Sequence, residues 1–247
     1  MNLKYYLKTL LFPGINLHGR LRYRVLPRFF GSARPGEERW FLDAGCGNGM
    51  LTYQAWRKGH RAVGVSIKEG EIERARRFFN EARGIPESQL SFRVHNLYRL
   101  EDLGLSFDEI VCSEVLEHIV RDADVIRSFA AVLKPGGVLH LCCPNADHPD
   151  NCATTLDKNE SGGHVRPGYT LDSYQALLKP AGLRIIESAG LGGPVREFFN
   201  KRILRAQDQR RVPAAACWFL AGWALAWLDT PHPRVPYSLY VRAKKTM

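Results

Sequence analysis

The chain has 247 residues, of which 45% are hydrophobic, and a formal net charge of +10. This size suits one large domain with additions, and the longest apolar run, residues 214–228, is shorter than the roughly 20 residues that a membrane-spanning helix needs. The six cysteines form no C-x-x-C pair, which excludes a regular disulfide framework and indicates reduced thiols in a cytoplasmic protein.

Charge divides the chain into parts. Residues 1–35 contain seven Lys or Arg and no acidic residue, and residues 195–247 contain ten against three, whereas the stretch between them is net acidic. We therefore expect a basic N-terminal helical segment at 1–35, a core domain at 36–194, a basic and Trp-rich helical insertion at 195–232, and a final strand of the core sheet at 233–247. The two basic flanks favour contact with an anionic membrane surface or a polyanion, although a solvated basic surface has the same composition.

From residue 40 onward, apolar strand-like runs alternate with segments of helical pattern. This alternation predicts an α/β fold with a parallel sheet that helices cover on both faces. The last strand-like run, "YSLYVRAKK", is predicted to lie antiparallel to the others. The predicted strands are 40–45, 61–67, 90–96, 107–114, 137–145, 183–188 and 237–245, and the predicted helices are 50–59, 69–83, 122–134 and 170–182.

Polar residues and glycines stand where these strands end. Ligands of doubly wound sheets bind at the carboxyl ends of the strands. Residues 43–49, Ser66, Asn96, Glu114 and Asn145 should therefore gather along one edge of the sheet.

The loop "DAGCGNG", residues 43–49, lies between the first predicted strand and the first predicted helix. Its glycines let a ligand approach the backbone closely. A nicotinamide-binding fold has such a loop too, but it usually has Asp or Glu at the end of the second strand, where this chain has Ser66. The loop alone does not identify the cofactor.

Five motifs in order resemble the class I S-adenosylmethionine-dependent methyltransferases: "FLDAGCGNG", "VGVSI", "HNLYRL", "FDEIVCSEVLEH" and "LKPGGVLHLCCPN". The resemblance covers about residues 40–190 and implies a doubly wound, mostly parallel seven-stranded Rossmann-like sheet with helical additions. It also implies S-adenosylmethionine as the cofactor, with its methionine part on the glycine loop, its adenine between Asn96 and Leu97, and Cys112 and Ser113 lining the site. The cofactor-binding residues expected on this basis are Asp43, Gly45, Cys46, Gly47, Gly49, Ser66, Ile67, Glu71, Asn96, Leu97 and Ser113.

Ser66 departs from the family pattern, because most members have an acidic residue at that position. Lipid cyclopropane synthases, a branch of the same family, resemble this chain there, with a hydroxyl residue and a glutamine five residues later. Here the fifth residue is Glu71. We expect Ser66 with Glu71, or with Glu69, to contact the ribose; the alternative is that Ser66 only caps the next helix.

The stretch "CSEVLEHI", residues 112–119, contains Glu114, Glu117 and His118 at spacing i, i+3, i+4. On a helix this spacing places three side chains on one face. Two carboxylates and an imidazole there could hold a divalent cation. They could also be an ordinary polar helix start, in which the helix dipole favours the negative charge of Glu117 in the first turn.

The Glu-x-x-Glu-His motif resembles two methyltransferase branches that hold a divalent cation with it and with a downstream histidine. These are the ubiquinone-biosynthesis O-methyltransferases and the small-RNA 2′-O-methyltransferases. The resemblance implies Glu114, Glu117, His118 and His164 as ligands of Mg²⁺, Mn²⁺ or Zn²⁺, and Glu117, His118 and His164 as catalytic residues. Such a cation would lower the pKa of an acceptor hydroxyl and orient its oxygen.

Several functions fit this sequence. Our first hypothesis is metal-assisted O-methylation of a small hydroxylated, apolar or lipid-like acceptor, by a cytoplasmic enzyme peripheral on the inner face of a membrane. The alternatives are ribose 2′-O-methylation of RNA, carbon methylation or cyclopropanation of lipids, and a non-catalytic cofactor-binding protein. Nucleic acid fits less well as a partner than a small or lipid-like acceptor. The Trp-rich run 214–228 fits a membrane-interface helix, a lid over an apolar substrate, or a core helix.

Overall fold

The structure is a computed structural model that describes residues 16–229 and 233–246. The helical segment predicted at 1–35 is therefore described only from Asn16 onward. The expectation for residues 1–15 lies outside the described part of the chain, as do residues 230–232 and Met247.

Seven strands in the described ranges form one sheet in the order β3-β2-β1-β4-β5-β7-β6. Neighbouring strands are parallel, except that β7 lies antiparallel to both β5 and β6. The predicted doubly wound, mostly parallel seven-stranded sheet and its antiparallel last strand are confirmed. The strands are β1 (Trp40–Ala44), β2 (Arg61–Ser66), β3 (Leu90–Val94), β4 (Phe107–Ser113), β5 (Leu133–Pro144), β6 (Leu183–Leu191) and β7 (Ser238–Lys245).

The helices begin where the sequence supplies caps and turns. Asn16 caps the first helix by accepting a hydrogen bond from the Gly19 amide, and Thr170 forms a capping box with Ser173, as its position before an apolar helix predicts. The helices are α1 (Leu17–Val25), α2 (Met50–Arg57), α3 (Glu69–Ala75), α4 (Asp122–Val132), α5 (Pro149–Cys152), α6 (Leu171–Leu178), α7 (Pro194–Asp208) and α8 (Val212–Ala224). A π-helical turn (Arg76–Glu81) extends α3, and short 3₁₀ turns include Leu97–Leu103 and Leu116–His118.

Buried apolar side chains cover both faces of the sheet. Phe129 of α4 and Tyr174 of α6 belong to the core on one face, and Phe41 and Phe79 belong to the core on the other. Burial of both faces explains why the parallel strands are continuous apolar runs. A smaller cluster of Leu17, Phe199 and Ile203 joins α1 to α7.

The stretch "CSEVLEHI" does not form the predicted helix. Strand β4 continues to Ser113, Glu114 has a positive φ of 56°, and only Leu116–His118 form a single 3₁₀ turn. The expectation that Glu114, Glu117 and His118 lie on one helical face is therefore wrong. Glu114 adopts the left-handed backbone conformation, which turns the chain at this residue. The side chains of Glu114 and Glu117 therefore point in different directions.

The Trp-rich insertion forms the helical hairpin of α7 and α8 beside α1. Helix α8 is not a core helix, because the side chains of Leu220 and Trp223 are 58% and 62% exposed. Its buried residues are Ala215 and Gly222, and Gly222 faces Leu17 of α1 and Phe199 of α7. Among the helices of the described ranges, none combines the length and apolar character that crossing a bilayer requires.

Candidate active site

A cavity of about 450 Å³ lies at the carboxyl ends of β1, β2 and β4, and we call it the rim cavity. Its position is the one expected for the ligand site of a doubly wound sheet. Ten of the eleven residues expected to bind the cofactor line it. They are Asp43, Gly45, Cys46, Gly47, Ser66, Ile67, Glu71, Asn96, Leu97 and Ser113.

The two remaining expectations for the cavity wall differ from the structure. Gly49 is the N-cap of α2, and a Cβ on it would lie 2.6 Å from the ring of Phe92, so this glycine serves packing behind the wall. Cys112 is fully buried in the sheet core and is absent from the lining. The sequence could not show that these two residues lie outside the cavity wall, because each is adjacent in sequence to a residue that lines it.

Asp43 holds the glycine loop against α2. Its carboxylate accepts hydrogen bonds from the Thr52 amide at 2.9 Å and from the Thr52 hydroxyl at 2.7 Å. Burial raises the pKa of Asp43 to about 6, although these hydrogen bonds oppose the shift. Beyond it, Gly47 has a φ of 50° and open space where a Cβ would stand, so its backbone forms the cavity wall itself.

Ser66 and Glu71 form a pair at the end of β2. The Ser66 hydroxyl donates to the Glu71 carboxylate at 2.8 Å and accepts from the Lys68 amide at 3.1 Å. The pair places a carboxylate at the end of β2, on the wall of the rim cavity. Glu69, the other expected partner, does not line the cavity.

Asn96 and Leu97 form the wall after β3. The Asn96 side chain accepts a hydrogen bond from the Tyr98 amide at 3.0 Å and caps the following 3₁₀ turn. The hydroxyl of Tyr98 donates to Glu160 at 2.5 Å, which holds the loop bearing Glu160 against the same wall. This part of the cavity offers an apolar surface bordered by an amide.

Glu114 lines the cavity but points toward α1 and β7. The Ser238 hydroxyl donates to its carboxylate at 3.2 Å, Arg22 Nη1 lies 4.0 Å away, and His18 Nε2 lies 3.9 Å away. Burial alone would raise the pKa of Glu114, but the charge of Arg22 and the contacts with His18 and Ser238 lower it overall. Glu114 is thus a carboxylate already neutralised by protein groups.

Glu117, His118 and His164 come together beside the rim cavity, which His118 lines, and we call them the Glu117 cluster. One ligand atom from each lies within 4.8 Å of the others. The amide of Val165 donates to the Glu117 carbonyl at 2.8 Å, which brings His164 to the cluster across 47 positions of sequence. Of the four ligands expected from the sequence, these three are grouped and Glu114 is not.

The Glu117 cluster has unsatisfied polar atoms. Glu117 is fully buried, yet neither of its carboxylate oxygens has a hydrogen-bond partner in the described residues, and neither has Nδ1 of His164. Burial, together with the negative charge of Glu114, raises the pKa of Glu117. Burial and the neighbouring His118 lower the pKa of His164. Buried orphan acceptors are costly, so this arrangement favours a bound cation.

His118 is oriented for such a role. Its Nδ1 lies 2.9 Å from the carbonyl of Gly163, and a carbonyl only accepts, so Nδ1 must carry the proton. The lone pair of Nε2 then faces the cavity side, 3.9 Å from Glu117 Oε1. A backbone carbonyl on the second ring nitrogen is the usual arrangement of a metal-binding histidine. Two imidazoles and one carboxylate therefore fit a divalent transition-metal cation, with positions left for oxygens of a substrate.

A second His and carboxylate group is already satisfied. His148 Nε2 bonds Glu197 at 3.0 Å, and the ammonium of Lys201 bonds both Asp150 at 2.8 Å and Glu197 at 2.7 Å. Lys201 supplies the positive charge that a cation would bring, so this group ties α5 to α7. His140 is likewise a buried structural residue, hydrogen-bonded to Tyr240 and Glu109.

Among the lining residues that sequence reasoning missed are Arg22 and Tyr23 of α1. The Asn48 amide donates to the Tyr23 hydroxyl at 2.9 Å, and Arg22 Nη1 donates to the Ser113 hydroxyl at 3.2 Å. The guanidinium Nε of Arg22 is buried without a partner among the described residues. The only signal for Arg22 in the sequence is its place in a run of basic residues, and such a run equally indicates a charged surface.

Comparison with known proteins finds similar sequences over more than half of this chain. A family model described as a methyltransferase domain matches residues 16–188. The ubiquinone biosynthesis O-methyltransferase of Xanthomonas euvesicatoria pv. vesicatoria (strain 85-10) is 32% identical over 155 residues, 61% of this chain and 61% of that protein. The enzyme of the same name from Ruegeria pomeroyi is 30% identical over 171 residues, 66% of this chain and 67% of that protein. The chain thus spans about three fifths of the length of the first relatives it matches.

Solved structures share the fold at low identity. The [4+2]-cyclase SpnF superposes with a TM-score of 0.66 at 17% identity, over 99% of this chain and 94% of that one. A geranyl diphosphate C-methyltransferase from Streptomyces coelicolor A3(2), in complex with Mg²⁺, a substrate analogue and S-adenosylhomocysteine, gives 0.61 at 17% identity, over 92% and 76%. These similarities establish the fold and do not identify a methyl acceptor.

Proposed function

The chain belongs to the S-adenosylmethionine-dependent methyltransferases, and on this basis we propose that it methylates a hydroxyl oxygen of a small apolar acceptor with the help of a divalent cation. The observation that carries the proposal is the Glu117 cluster. Its buried, unpartnered oxygens and imidazole nitrogen belong to Glu117 and His164, which lie next to His118, and His118 lines the cavity together with the cofactor residues.

The cofactor residues divide by the chemistry they offer. The backbone of Gly45–Gly47 leaves room for the methionine part, and the buried guanidinium of Arg22 supplies a positive charge for its carboxylate. Ser66 and Glu71 offer a hydroxyl and a carboxylate for ribose hydroxyls, and Asn96 with Leu97 offers an amide edge and an apolar surface for adenine. When bound, the cofactor supplies an electrophilic methyl group on a sulfonium.

The Glu117 cluster would hold the cation through the Glu117 carboxylate, His118 Nε2 and His164 Nδ1. A bound cation supplies Lewis-acid activation of the acceptor hydroxyl and a template for its orientation. Because methyl transfer is an in-line displacement, orientation of the oxygen should provide much of the rate. His164 is neutral at pH 7, since burial lowers its pKa, so its Nδ1 can offer a lone pair to the cation. The proton that the acceptor hydroxyl loses then passes to solvent.

The acceptor side of the cavity supports an apolar ligand. Val115 and Ile119 line it on either side of His118, with Tyr98 nearby. An acceptor with two vicinal oxygens on an apolar ring would place its oxygens at the cluster and its ring on these side chains. The relatives are named for ubiquinone biosynthesis. For this chain we propose an alkyl-substituted catechol as the acceptor, because it combines two vicinal oxygens with an apolar ring.

The test is methyl transfer from radiolabelled S-adenosylmethionine to an alkyl catechol, before and after treatment with EDTA. We expect EDTA to abolish turnover and Mg²⁺, Mn²⁺ or Zn²⁺ to restore it. Glu117→Gln should lower kcat at least about 100-fold, because a neutral amide is a poor cation ligand. The matched control is Glu197→Gln, the same change in the group that Lys201 already neutralises, and it should leave kcat within about twofold.

Full turnover of Glu117→Gln in EDTA would contradict the metal mechanism while leaving the methyltransferase assignment intact. Absence of turnover on any catechol, with cofactor binding retained, would contradict the acceptor class. The two results are distinguishable because cofactor binding is measured separately by calorimetry.

A further inference from the structure

Helix α8 is apolar around its whole circumference. No residue from 212 to 228 carries a charged side chain. One face packs on the protein, where Gly222 admits Leu17 of α1 and Phe199 of α7 so closely that a Cβ would lie 2.6–2.8 Å from them. The opposite face is apolar as well, whereas a surface helix of a water-exposed protein has polar residues there.

The exposed face of α8 and of the turn that follows it consists of large side chains. Leu220 is 58% exposed, Trp223 62%, Trp227 78% and Leu228 52%. A contiguous apolar patch of this kind marks an interaction surface. We call these four residues the tryptophan face.

Basic side chains lie on the same helical hairpin as the tryptophan face. Arg205 of α7 and Arg210 and Arg211 of the α7–α8 turn are exposed. Arg202 stacks its guanidinium over the rings of Phe198 and Trp218, at 3.3 Å and 5.4 Å from the ring centroids. Cations that lie along an apolar surface while their charge reaches outward are typical of side chains at the membrane–water boundary.

We propose that the α7–α8 hairpin docks on the headgroup layer of an anionic lipid bilayer. The tryptophan face enters the boundary between headgroups and acyl chains, and Arg205, Arg210 and Arg211 meet the lipid phosphates. Tryptophan and arginine are the residues that such interfacial helices use, and each basic residue near the surface adds to the attraction. A second copy of this chain fits less well, because two equally basic hairpins would repel each other.

Docking there would connect the bilayer to the active site through one helix. Arg20 of α1 lies over the ring of Phe219 of α8, at 5.0 Å from its centroid, and α1 carries Arg22 and Tyr23 into the rim cavity. An apolar acceptor dissolved in lipid would then be held one helix away from the cavity. The proposal does not depend on the cation or on oxygen as the methylated atom.

The test is flotation of the full chain with vesicles of phosphatidylcholine alone or mixed with phosphatidylglycerol. We expect binding to the anionic vesicles and its loss at high salt. Trp223→Ser with Trp227→Ser, and separately Arg205→Glu with Arg211→Glu, should each lower the partition coefficient at least about tenfold. Arg77→Glu with Arg184→Glu makes the same charge change on exposed residues elsewhere and should lower it less than about threefold.

Tryptophan fluorescence distinguishes docking from loose attraction. Lipids brominated near the headgroup should quench the wild-type protein, and the Trp223→Ser, Trp227→Ser variant should lose most of this quenching. Equal flotation of the tryptophan variant and the wild type, or equal losses in the two arginine variants, would overturn the proposal. The proposal would also be overturned if, without lipid, the wild type sedimented as a dimer and the tryptophan variant as a monomer. That result would assign the tryptophan face to contact with a second copy of the chain.

Discussion

At the scale of single residues, Gly47 and Gly49 both have positive φ angles but serve different purposes. Gly47 has nothing within 4 Å of the place where a Cβ would stand, and it lines the rim cavity. Gly49 faces Phe92 and Phe79, at 2.6 Å and 3.1 Å from the same virtual atom. One glycine therefore leaves room for a ligand, and the other leaves room for the core.

This difference predicts opposite results for the same substitution. Gly47→Ala should weaken binding of S-adenosylhomocysteine at least about tenfold, because a methyl group enters the cavity wall, and should cost only about 1–2 kcal/mol of backbone strain. Gly49→Ala should lower the free energy of unfolding by about 2–4 kcal/mol, since strain and overpacking add.

Calorimetric titration and urea unfolding of both variants measure the two quantities. The assignment would be wrong if Gly49→Ala were the more stable variant, or if Gly47→Ala bound the cofactor product as tightly as the wild type.

Most residues of the cavity wall could be predicted from the sequence because they stand directly after strands. Asp43, Ser66 and Ser113 each close or follow an apolar run, and the carboxyl ends of such runs meet at one edge. Arg22 could not be predicted in this way, because it reaches the cavity from a helix outside the sheet. Its role depends on how α1 packs, which no local pattern reports.

At the scale of elements, α1 is part of the site. Arg22 of this helix contacts Ser113 at 3.2 Å and lies 4.0 Å from Glu114, while the adjacent Tyr23 bonds Asn48 of the glycine loop. The helix thus closes the cavity from the side that faces the α7–α8 hairpin. Its neighbour Arg24 is exposed.

We expect Arg22→Gln to weaken binding of S-adenosylhomocysteine about tenfold or more, because a buried guanidinium paired with a carboxylate contributes on this order. Arg24→Gln is the matched control, one position from the cavity wall, and should bind like the wild type. Calorimetric titration measures both. Equal affinities of the two variants would contradict the role of Arg22 in holding the carboxylate of the cofactor.

Strands and helices of the core were predictable, whereas the element at "CSEVLEHI" was not. Apolar runs and the capping residue Thr170 set the bounds of the predicted elements locally. Glu114, however, is held in a left-handed conformation while its carboxylate is bound by His18, Arg22 and Ser238. Those partners come from distant parts of the chain, so the helical spacing of Glu114 with Glu117 carried no information about their true arrangement.

At the scale of the whole molecule, a buried polar network ties the far side of the sheet together. Glu109 of β4 accepts hydrogen bonds from the Gly31 amide at 3.0–3.1 Å, from Arg39 at 3.0 Å and from His140 Nε2 at 3.1 Å. Because a carboxylate only accepts, Nε2 of His140 carries the proton, and its Nδ1 accepts from the Tyr240 hydroxyl at 2.8 Å. The network joins the segment before β1 to β4, β5 and β7.

Burial alone would raise the pKa of Glu109, but the hydrogen bonds from His140 and Gly31 outweigh it and lower the pKa from 4.5 to about 2. A carboxyl whose pKa is lower in the folded state than in the unfolded state stabilises the fold at pH values above its unfolded pKa. This stabilisation is lost as the pH falls from 4.5 toward 2. The shift corresponds to roughly 3 kcal/mol at neutral pH.

We therefore expect Glu109→Gln to be less stable than the wild type at pH 7, with a difference that shrinks between pH 4.5 and pH 2. Urea unfolding at several pH values measures it. Asp102→Asn is the control, since this carboxylate is exposed and pairs only with Arg99 among the described contacts. A difference between wild type and Glu109→Gln that stayed constant with pH would show that the network gains nothing from the charge.

The hydrogen bond between His18 Nε2 and the Ser238 hydroxyl, at 3.0 Å, joins residues 220 positions apart. Strand β7 lies between β5 and β6, so the sheet closes only when this late segment inserts between two strands made earlier. Until then Glu114 lacks one partner and β5 and β6 expose open edges, which are prone to pair with other chains. During synthesis on the ribosome, the nascent chain would therefore acquire its glycine loop early. It would complete the wall of the rim cavity at Glu114 only after the segment bearing β7 has left the ribosome.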